Sequence, residues 1–218
     1  MKKISQSTDQ TGLSQGDSFG RNDKGTVVGL IIAAGYSSRM GKFKPLMQYS
    51  GKSFLLNIVN KLDSVCDEIV VVTGHNRNLI ETELNSFPNK NKIKTIYNKN
   101  YQDGMFTSLQ TGLEHLVDRN WILYHFIDQP NLPTNFYRDF VTQIDNSFDW
   151  IQPKYKGKNG HPILMSRKII DLIIEAPQNS NLKELTTTSN IAKKYWDCNY
   201  SEIQDDIDTI ELYNKLLK

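Results

Sequence analysis

The run Val27–Ala34 (VVGLIIAA), which ends at Gly35, constrains the fold of this chain more than any other segment. It is an almost unbroken apolar run and is rich in β-branched residues. Such a run is typical of a strand that is buried on both faces, as in a parallel sheet. In open α/β sheets, ligands bind beyond the carboxyl ends of the strands. The run therefore predicts an α/β fold with a ligand site directly after Ala34.

Small and basic residues occupy the segment after this predicted strand. Residues 35–38 read GYSS, and residues 39–44 read RMGKFK. A turn of small residues lets backbone N–H groups approach a ligand closely, and cations beyond it neutralise phosphate charge. The segment predicts an anion site, with a nucleoside triphosphate as the favoured ligand. On composition alone, a solvated basic loop accounts for the segment about equally well.

Spacing excludes two familiar phosphate-binding loops. A P-loop has four residues between its glycines, followed by Lys and then Ser or Thr. Gly35 and Gly41 have five residues between them, and Phe43 stands where the metal-binding hydroxyl is required. The dinucleotide-binding fingerprint needs three glycines in fixed register, and this segment has two.

Length and composition set the broad class of the protein. A chain of 218 residues suffices for one α/β domain, and a net charge of +2 gives no sign of a nucleic-acid partner. Cys66 and Cys198 form no CxxC pair, which fits a reducing, cytoplasmic location. No apolar run reaches the ~20 residues of a membrane span. Residues 1–25 are polar and predict a disordered tail, and residues 26–218 predict one folded domain.

Strand and helix patterns alternate along the chain, which predicts parallel βαβ units with right-handed crossovers. Residues 150–165 contain glycine and proline and predict two short strands in an antiparallel pair. The other predicted strands lie within 27–34, 68–74, 93–97, 121–130 and 191–196, and the predicted helices are 53–62, 76–84, 103–116, 134–144, 166–174 and 181–187.

Candidate ligand-binding groups lie at the beginning of one predicted helix and after the end of one predicted strand. The helix that begins near Gly104 offers free N–H groups as far as Ser108, although any capped helix does the same. Asp128 follows a predicted central strand, where a carboxylate can hold Mg²⁺ against a triphosphate. An Asx turn before Pro130 explains Asp128 equally well from physical principles alone.

Candidate residues in the second half of the chain also have two explanations each. The alternating lysines of residues 154–158 suit either an anionic acceptor or a protected edge strand. His161 can orient a phosphate, or it can hold its turn through a backbone hydrogen bond, which is the favoured explanation. Asp208 is predicted to be the N-cap of a final helix, with Glu211 completing a capping box.

The order of these motifs is specific. IIAAGYSSRMGKFK resembles the LAAGxSxRMGxxK signature of the MobA-like nucleotidyltransferases, and its branch most similar to this chain is the molybdenum cofactor cytidylyltransferases. Four later segments follow the family's order: GMFTSLQTGL, DQP, YKGKNGHPILM and IDT. Ala34 stands where the guanylyl branch usually has Gly, which favours CTP. Ile210, Leu212 and the EAPQNSN loop depart from the family's pattern.

The resemblance implies a Rossmann-like, three-layer nucleotidyltransferase fold with a mostly parallel central sheet. It implies that Arg39, Lys44 and Asp128 are catalytic, and that Asp128 and Asp208 hold Mg²⁺. Gly104, Met105, Gly160 and His161 are the implied acceptor-binding residues. The implied nucleotide-binding residues are Ala33, Ala34, Gly35, Ser37, Ser38, Arg39, Lys44, Gly74 and Ser108.

The implied reaction transfers a nucleoside monophosphate from the triphosphate to a phosphorylated acceptor and releases pyrophosphate. The implied acceptor is molybdopterin carrying molybdenum, and a molybdoenzyme is the expected recipient of the finished cofactor. Two alternatives remain open at this point. One is the same reaction on another phosphorylated metabolite, such as a sugar phosphate, and the other is a non-catalytic carrier or chaperone for the cofactor.

Overall fold

A computed structural model describes residues 25–218 of the chain, so the predicted tail lies outside the described residues apart from Gly25. The strands are β1 (Val27–Ile32), β2 (Gln48–Tyr49), β3 (Lys52–Ser53), β4 (Glu68–Thr73), β5 (Ile93–Tyr97), β6 (Trp121–Phe126), β7 (Trp150–Tyr155), β8 (Lys158–Asn159), β9 (Ile163–Ser166) and β10 (Lys193–Asp197). The helices are α1 (Phe54–Leu62), α2 (Arg77–Asn85), α3 (Met105–Glu114), α4 (Thr134–Val141), α5 (Arg167–Glu175), α6 (Leu182–Thr188) and α7 (Ile210–Leu216).

The main sheet has the strand order β10-β7-β9-β6-β1-β4-β5, with β8 paired to β7. The strands β5, β4, β1 and β6 run parallel to one another. Strand β9 runs antiparallel between β6 and β7, so the predicted antiparallel pair in residues 150–165 is confirmed. The prediction of a mostly parallel central sheet is confirmed as well.

Helices cover both faces of this sheet and make three layers. Along β1, Ile31 contributes to one apolar cluster with α1, α2 and α4, whereas Leu30 contributes to a second cluster with α3 and α5. Successive side chains of a strand point to opposite faces, so a strand buried on both sides is apolar at every position. This explains why Val27–Ile32 is apolar throughout and buried throughout.

The parallel register brings the loops after β1 and β6 to one edge of the sheet. Ile32 at the end of β1 is paired with Val72 of β4 on one side and with Phe126 of β6 on the other. The chain therefore leaves β1 and β6 side by side, with the basic segment after one strand and Asp128 after the other.

The C-terminal segment returns across the same edge. The N–H of Ile207 donates to the carbonyl of Asp128 at 3.0 Å. Ile207 is also buried with Met40, Met47 and Phe54 in a third apolar cluster, against which α7 packs. These contacts place residues 206–208 beside the loop after β6.

The prediction that Asp208 is the N-cap of α7 is wrong. The cap is Thr209, whose Oγ1 accepts a hydrogen bond from the N–H of Leu212 at 3.3 Å. Both residues are suitable cap types, but the side chain of Asp208 is engaged with two cations described below. The capping hypothesis therefore does not account for Asp208.

This cap gives a prediction for stability. Replacing Thr209 with alanine removes the acceptor for the Leu212 N–H and should lower the free energy of unfolding by about 1 kcal/mol. Urea unfolding of the purified protein measures this change. Thr209→Ser keeps a hydroxyl and should retain most of the stability, and equal losses in the two variants would show that the cap is not the cause.

No helix within residues 25–218 is both long enough and apolar enough to cross a bilayer.

Candidate active site

The segment after β1 forms a tight turn that separates its two cations. Ser37 adopts a left-handed conformation with φ of 56°, and its Oγ accepts a hydrogen bond from the N–H of Lys44 at 3.0 Å. The exposed side chain of Arg39 remains in solvent, whereas Lys44 is only 8% exposed. The turn thus sends one cation outward and buries the other at the sheet edge.

Lys44 joins the two carboxylates that were predicted to share a metal. Its Nζ lies 2.6 Å from Oδ1 of Asp208 and 3.5 Å from Oδ2 of Asp128. Arg39 reaches the other oxygen of Asp208 at 3.3 Å. The structure therefore brings Arg39, Lys44, Asp128 and Asp208 together, although Lys44 and Asp208 are 164 positions apart in the chain.

The pKa values of the two carboxylates are shifted in opposite directions, because the two groups share this cation unequally. Burial raises the pKa of Asp128, and the more distant charge of Lys44 only partly offsets the effect. Burial also opposes ionisation of Asp208, but the short hydrogen bond from Lys44 and the charge of Arg39 outweigh it and lower the pKa of Asp208. A single buried ammonium thus holds Asp208 firmly in its ionised form.

A third acid, Asp206, was not anticipated from the sequence. Its Oδ1 accepts a hydrogen bond from Gln129 Nε2 at 2.9 Å. Burial and the negative charges of Asp128 and Asp208 raise the pKa of Asp206 to about 6. The N–H of Asp208 donates to the carbonyl of Asp206 at 2.9 Å, so the two acids stand at the ends of a tight turn, which no pattern in the sequence indicated.

A cavity of about 530 Å³ opens over this cluster. It is bounded by the turn after β1, the start of α3, the loop after β6 and the C-terminal segment. Among the predicted site residues, those that line it are Ala33, Gly35, Ser37, Ser38, Arg39, Lys44, Gly104, Met105, Ser108, Asp128, His161 and Asp208.

Three predicted ligand-binding residues, Ala34, Gly74 and Gly160, do not line this cavity. Ala34 is buried, and its carbonyl accepts a hydrogen bond from the N–H of His75. A Cβ on Gly74 would lie 2.6 Å from the side chain of Tyr101, and a Cβ on Gly160 would lie 2.4 Å from the carbonyl oxygen of Ile203. The structure gives these two glycines packing roles, because only a residue without a side chain permits such close approach.

A second cavity, of about 780 Å³, adjoins the first and shares Gly104, Met105, Phe126 and His161 with it. Its walls are largely apolar and include Tyr124 and Trp150, which were not anticipated as site residues. The EAPQNSN loop, which departs from the family's pattern, contributes four residues to the rim: Gln178, Asn179, Ser180 and Asn181.

His161 forms the backbone hydrogen bond that the favoured explanation required, because its N–H donates to the carbonyl of Ile203 at 3.0 Å. Its Nδ1 is buried and has no hydrogen-bond partner among the described residues, and its ring lies 4.2 Å from that of Phe126, edge to face. Burial lowers the pKa of the imidazole to about 4, so the ring is neutral at pH 7.

The donor set at the sheet edge fits a hard divalent cation. Asp128 and Asp208 lie close enough to share one ammonium, and Oδ1 of Asp128 is buried without a hydrogen-bond partner in residues 25–218. Nowhere in these residues do three or more His, Cys, Asp or Glu side chains form a group that could hold a metal by themselves. Mg²⁺ suits such a site, because it is usually held by one or two carboxylates together with substrate phosphates and water.

Comparison with known proteins decides the family. The model of the MobA-like NTP transferase domain matches residues 29–193. The chain belongs to this family. The resemblance seen in the ordered motifs is thereby confirmed, and the matched residues include the turn after β1, α3, β6 and β9.

Two curated relatives show the range within this family. The chain is 28% identical to the molybdenum cofactor cytidylyltransferase of Escherichia coli K12, over 71% of this chain and 78% of that protein. It is 26% identical to a protein of Bacillus cytotoxicus named a probable molybdenum cofactor guanylyltransferase, over 76% and 82% of the two chains. Both cytidylyl and guanylyl transferases are thus similar to this MobA-like chain.

Solved structures confirm the nucleotidyltransferase fold. The protein Rv0371c of Mycobacterium tuberculosis H37Rv superimposes with a TM-score of 0.73 at 19% identity, covering 88% of this chain and 97% of that one. A complex of the same mycobacterial protein with manganese gives a TM-score of 0.69 at 17% identity, covering 88% and 98%. A nucleotidyl transferase of Methanothermobacter gives 0.72 at 19% identity, covering 88% and 96%.

Proposed function

We propose that this MobA-like protein transfers the monophosphate of CTP to a phosphorylated acceptor of the molybdopterin type, with Mg²⁺, and releases pyrophosphate. The observation that carries the proposal is the convergence of Lys44 Nζ on both Asp128 and Asp208 at the floor of a cavity lined by the turn after β1. A basic turn and paired carboxylates at one point match the charge of a metal-bound triphosphate.

The reaction is an in-line displacement at phosphorus. An oxygen of the acceptor's terminal phosphate forms a bond to the α-phosphorus of CTP as the bond to the bridging α–β oxygen breaks, and pyrophosphate leaves with that oxygen. Such chemistry depends on positioning and charge neutralisation more than on a protein nucleophile. Asp128 and Asp208 would hold Mg²⁺, which would supply positive charge that offsets the charge of the triphosphate.

The chain's own cations complete the site. Arg39 is exposed at the rim and free to swing from Asp208 to the departing pyrophosphate, while Lys44 is fixed below it. Gly35 and Ser37 line the same cavity, where their backbone N–H groups would approach the triphosphate closely. The second cavity, which shares His161 and Met105 with the first, would hold the acceptor so that its phosphate points toward the metal.

The choice of CTP and of the acceptor is supported by similarity. The cytidylyltransferase of Escherichia coli covers most of this chain, and Ala34 stands where the guanylyl branch usually has glycine. This similarity, at 28% identity, makes CTP and molybdopterin the first substrates to test.

The decisive experiment is a matrix of four nucleoside triphosphates against phosphorylated acceptors, scored by pyrophosphate release. Molybdopterin loaded with molybdenum and a set of sugar phosphates are the acceptors. Release should require CTP, molybdopterin and Mg²⁺ together. Pyrophosphate release with only a sugar phosphate as acceptor would contradict the assignment of molybdopterin. Release with GTP but not with CTP would contradict the choice of nucleotide. Calorimetry that shows no binding of CTP with Mg²⁺ would contradict the proposed function.

A further inference from the structure

Gln129 is a buried amide in the loop after β6, directly after Asp128, and none of its surface is exposed. Its Nε2 donates to the carbonyl of Ile203 at 3.0 Å and to Oδ1 of Asp206 at 2.9 Å. Both partners belong to the C-terminal segment, 74 and 77 positions farther along the chain. The amide therefore joins the loop that carries Asp128 to the segment that carries Asp208.

The neighbours of this amide fix which of its ends faces the C-terminal segment. A carbonyl and a carboxylate are both acceptors, so only the NH₂ group can face them. The other end, Oε1, is buried and has no hydrogen-bond partner among residues 25–218. A buried acceptor without a partner destabilises the fold, and an apolar side chain of the same length would avoid that cost. The two donated bonds, and not packing, therefore explain why a glutamine stands here.

Two backbone contacts carry the effect of these bonds to Asp208. The N–H of Ile207 donates to the carbonyl of Asp128 at 3.0 Å. The N–H of Asp208 donates to the carbonyl of Asp206 at 2.9 Å, which closes a tight turn between the two acids. This turn is attached to the loop after β6 by the backbone of Ile207 and by the side chain of Gln129. The placement of Asp206 therefore sets the placement of Asp208.

We infer that Gln129 is a positioning residue for the metal site, whose buried NH₂ group fixes Asp206 and thereby the separation of the carboxylates of Asp128 and Asp208. This inference rests on the proposed function, since it takes those two carboxylates as the Mg²⁺ ligands. It goes beyond that function by giving a role to Gln129, which lines neither cavity, and to the hydrogen bond that Asp206 accepts. Carboxylates bind an ion well only when their own hydrogen-bond partners hold them in place.

Gln129→Met tests this role, because it keeps an unbranched side chain and removes both donated bonds. The carbonyl of Ile203 retains a hydrogen bond from the N–H of His161, so the loss falls mainly on Asp206. Affinity for Mn²⁺ should fall about 10-fold, since the hydrogen-bonded partners of metal ligands contribute roughly 10- to 100-fold to metal affinity. Calorimetry with Mn²⁺ alone, used as the probe in place of Mg²⁺, measures this change without turnover.

Two variants of Asp206 test the same bond without altering a fully buried position. Asp206→Asn and Asp206→Ala both remove the negative charge, but only asparagine keeps an oxygen that can accept from Gln129. Mn²⁺ should therefore bind about 10-fold more weakly to Asp206→Ala than to Asp206→Asn. The two variants should differ little when each is combined with Gln129→Met, because the bond is then absent from both. A general loss of stability would lower the unfolding midpoint without producing this coupling.

Asn131→Ala is the matched control. Asn131 also joins the loop after β6 to the C-terminal segment, since its Nδ2 donates to Oδ2 of Asp205 at 2.8 Å. This bond is exposed, so water replaces it readily and it should not fix the separation of the metal ligands. Mn²⁺ affinity should be unchanged in Asn131→Ala.

Each outcome of these measurements decides the inference. It would be overturned by equal Mn²⁺ affinities in wild type and Gln129→Met, by equal affinities in the two Asp206 variants, or by a comparable loss in Asn131→Ala. Failure of the wild-type protein to bind Mn²⁺ would overturn it as well, and if Gln129→Met does not fold, the Asp206 variants decide. Binding of CTP with Mg²⁺ is measured in parallel. If Mn²⁺ binds in the expected order and CTP does not bind, the proposed transferase function fails while the positioning role of Gln129 stands.

Discussion

Asp128→Asn is expected to abolish nearly all pyrophosphate release while leaving the protein folded. Under the proposed function the carboxylate holds Mg²⁺ against the triphosphate, which is worth several kcal/mol in the transition state. The loss should therefore be about 1000-fold in kcat/KM, because each 1.4 kcal/mol is a factor of ten. The measurement is steady-state release from CTP and the acceptor over a range of Mg²⁺ concentrations.

The stability of Asp128→Asn should not fall with its activity. Burial raises the pKa of Asp128, so the folded protein binds that proton more tightly than the unfolded chain does. Ionisation at neutral pH therefore opposes folding, and the opposition disappears as the pH falls toward the ordinary pKa of about 4. Asparagine has no charge to bury, so the unfolding midpoint at pH 7 should be maintained. If Asp128→Asn turned over at nearly the rate of the wild type, Asp128 would have no catalytic role.

Lys44→Met is expected to lose both activity and stability. The variant retains an unbranched side chain but leaves Asp128 and Asp208 facing each other without the ammonium between them. Breaking a mostly buried ion pair should lower the free energy of unfolding by about 2 kcal/mol, between the values for surface and buried pairs. Activity should fall at least about 100-fold, because a cation at the transferring phosphates is lost.

The stability loss in Lys44→Met has a defined pH dependence. Lys44 helps to lower the pKa of Asp208 in the folded protein, so this ion pair stabilises above the unfolded pKa near 4 and is lost as the pH falls through the lower, folded value. The difference between wild type and variant should be full at pH 7 and should shrink in strong acid. Urea unfolding at several pH values measures it, and a difference independent of pH would exclude the ion pair as its cause.

Arg39→Met is the matched control for this effect. Arg39 bonds to the same carboxylate at 3.3 Å, but its side chain is 76% exposed. Solvent screens the interaction, so stability should be unchanged within error. Activity should still fall, because the proposed role of Arg39 is exercised on the pyrophosphate and not on the fold.

Local patterns in the sequence predicted the sheet well. The apolar runs of β1, β4 and β6 are buried strands, and the predicted third strand, Ile93–Tyr97, has the predicted limits in the structure. Ser53, the first residue of the predicted helix 53–62, caps α1, with its side chain accepting from the N–H of Leu56. Each of these features depends on residues within one or two turns of chain, which is why periodicity and cap chemistry reveal them.

Features that depend on distant segments were predicted less completely. His161 was expected to form a backbone hydrogen bond, which it does with Ile203, but the packing of its ring on Phe126 with Nδ1 buried was not predicted. Gly74 and Gly160 were expected to touch ligands, and the sequence did not show that each also admits a neighbour from elsewhere in the chain.

The sequence by itself determined the parallel sheet, the basic turn after its central strand and the carboxylate after β6, because each depends only on residues that are consecutive in the chain. Only the tertiary structure decided which acids meet Lys44. Asp208 reaches it because Ile207 is buried against Met40 and Phe54 and bonds to the backbone of Asp128. That placement comes from packing between the two ends of the domain, and a pattern of neighbouring residues carries no information about such packing.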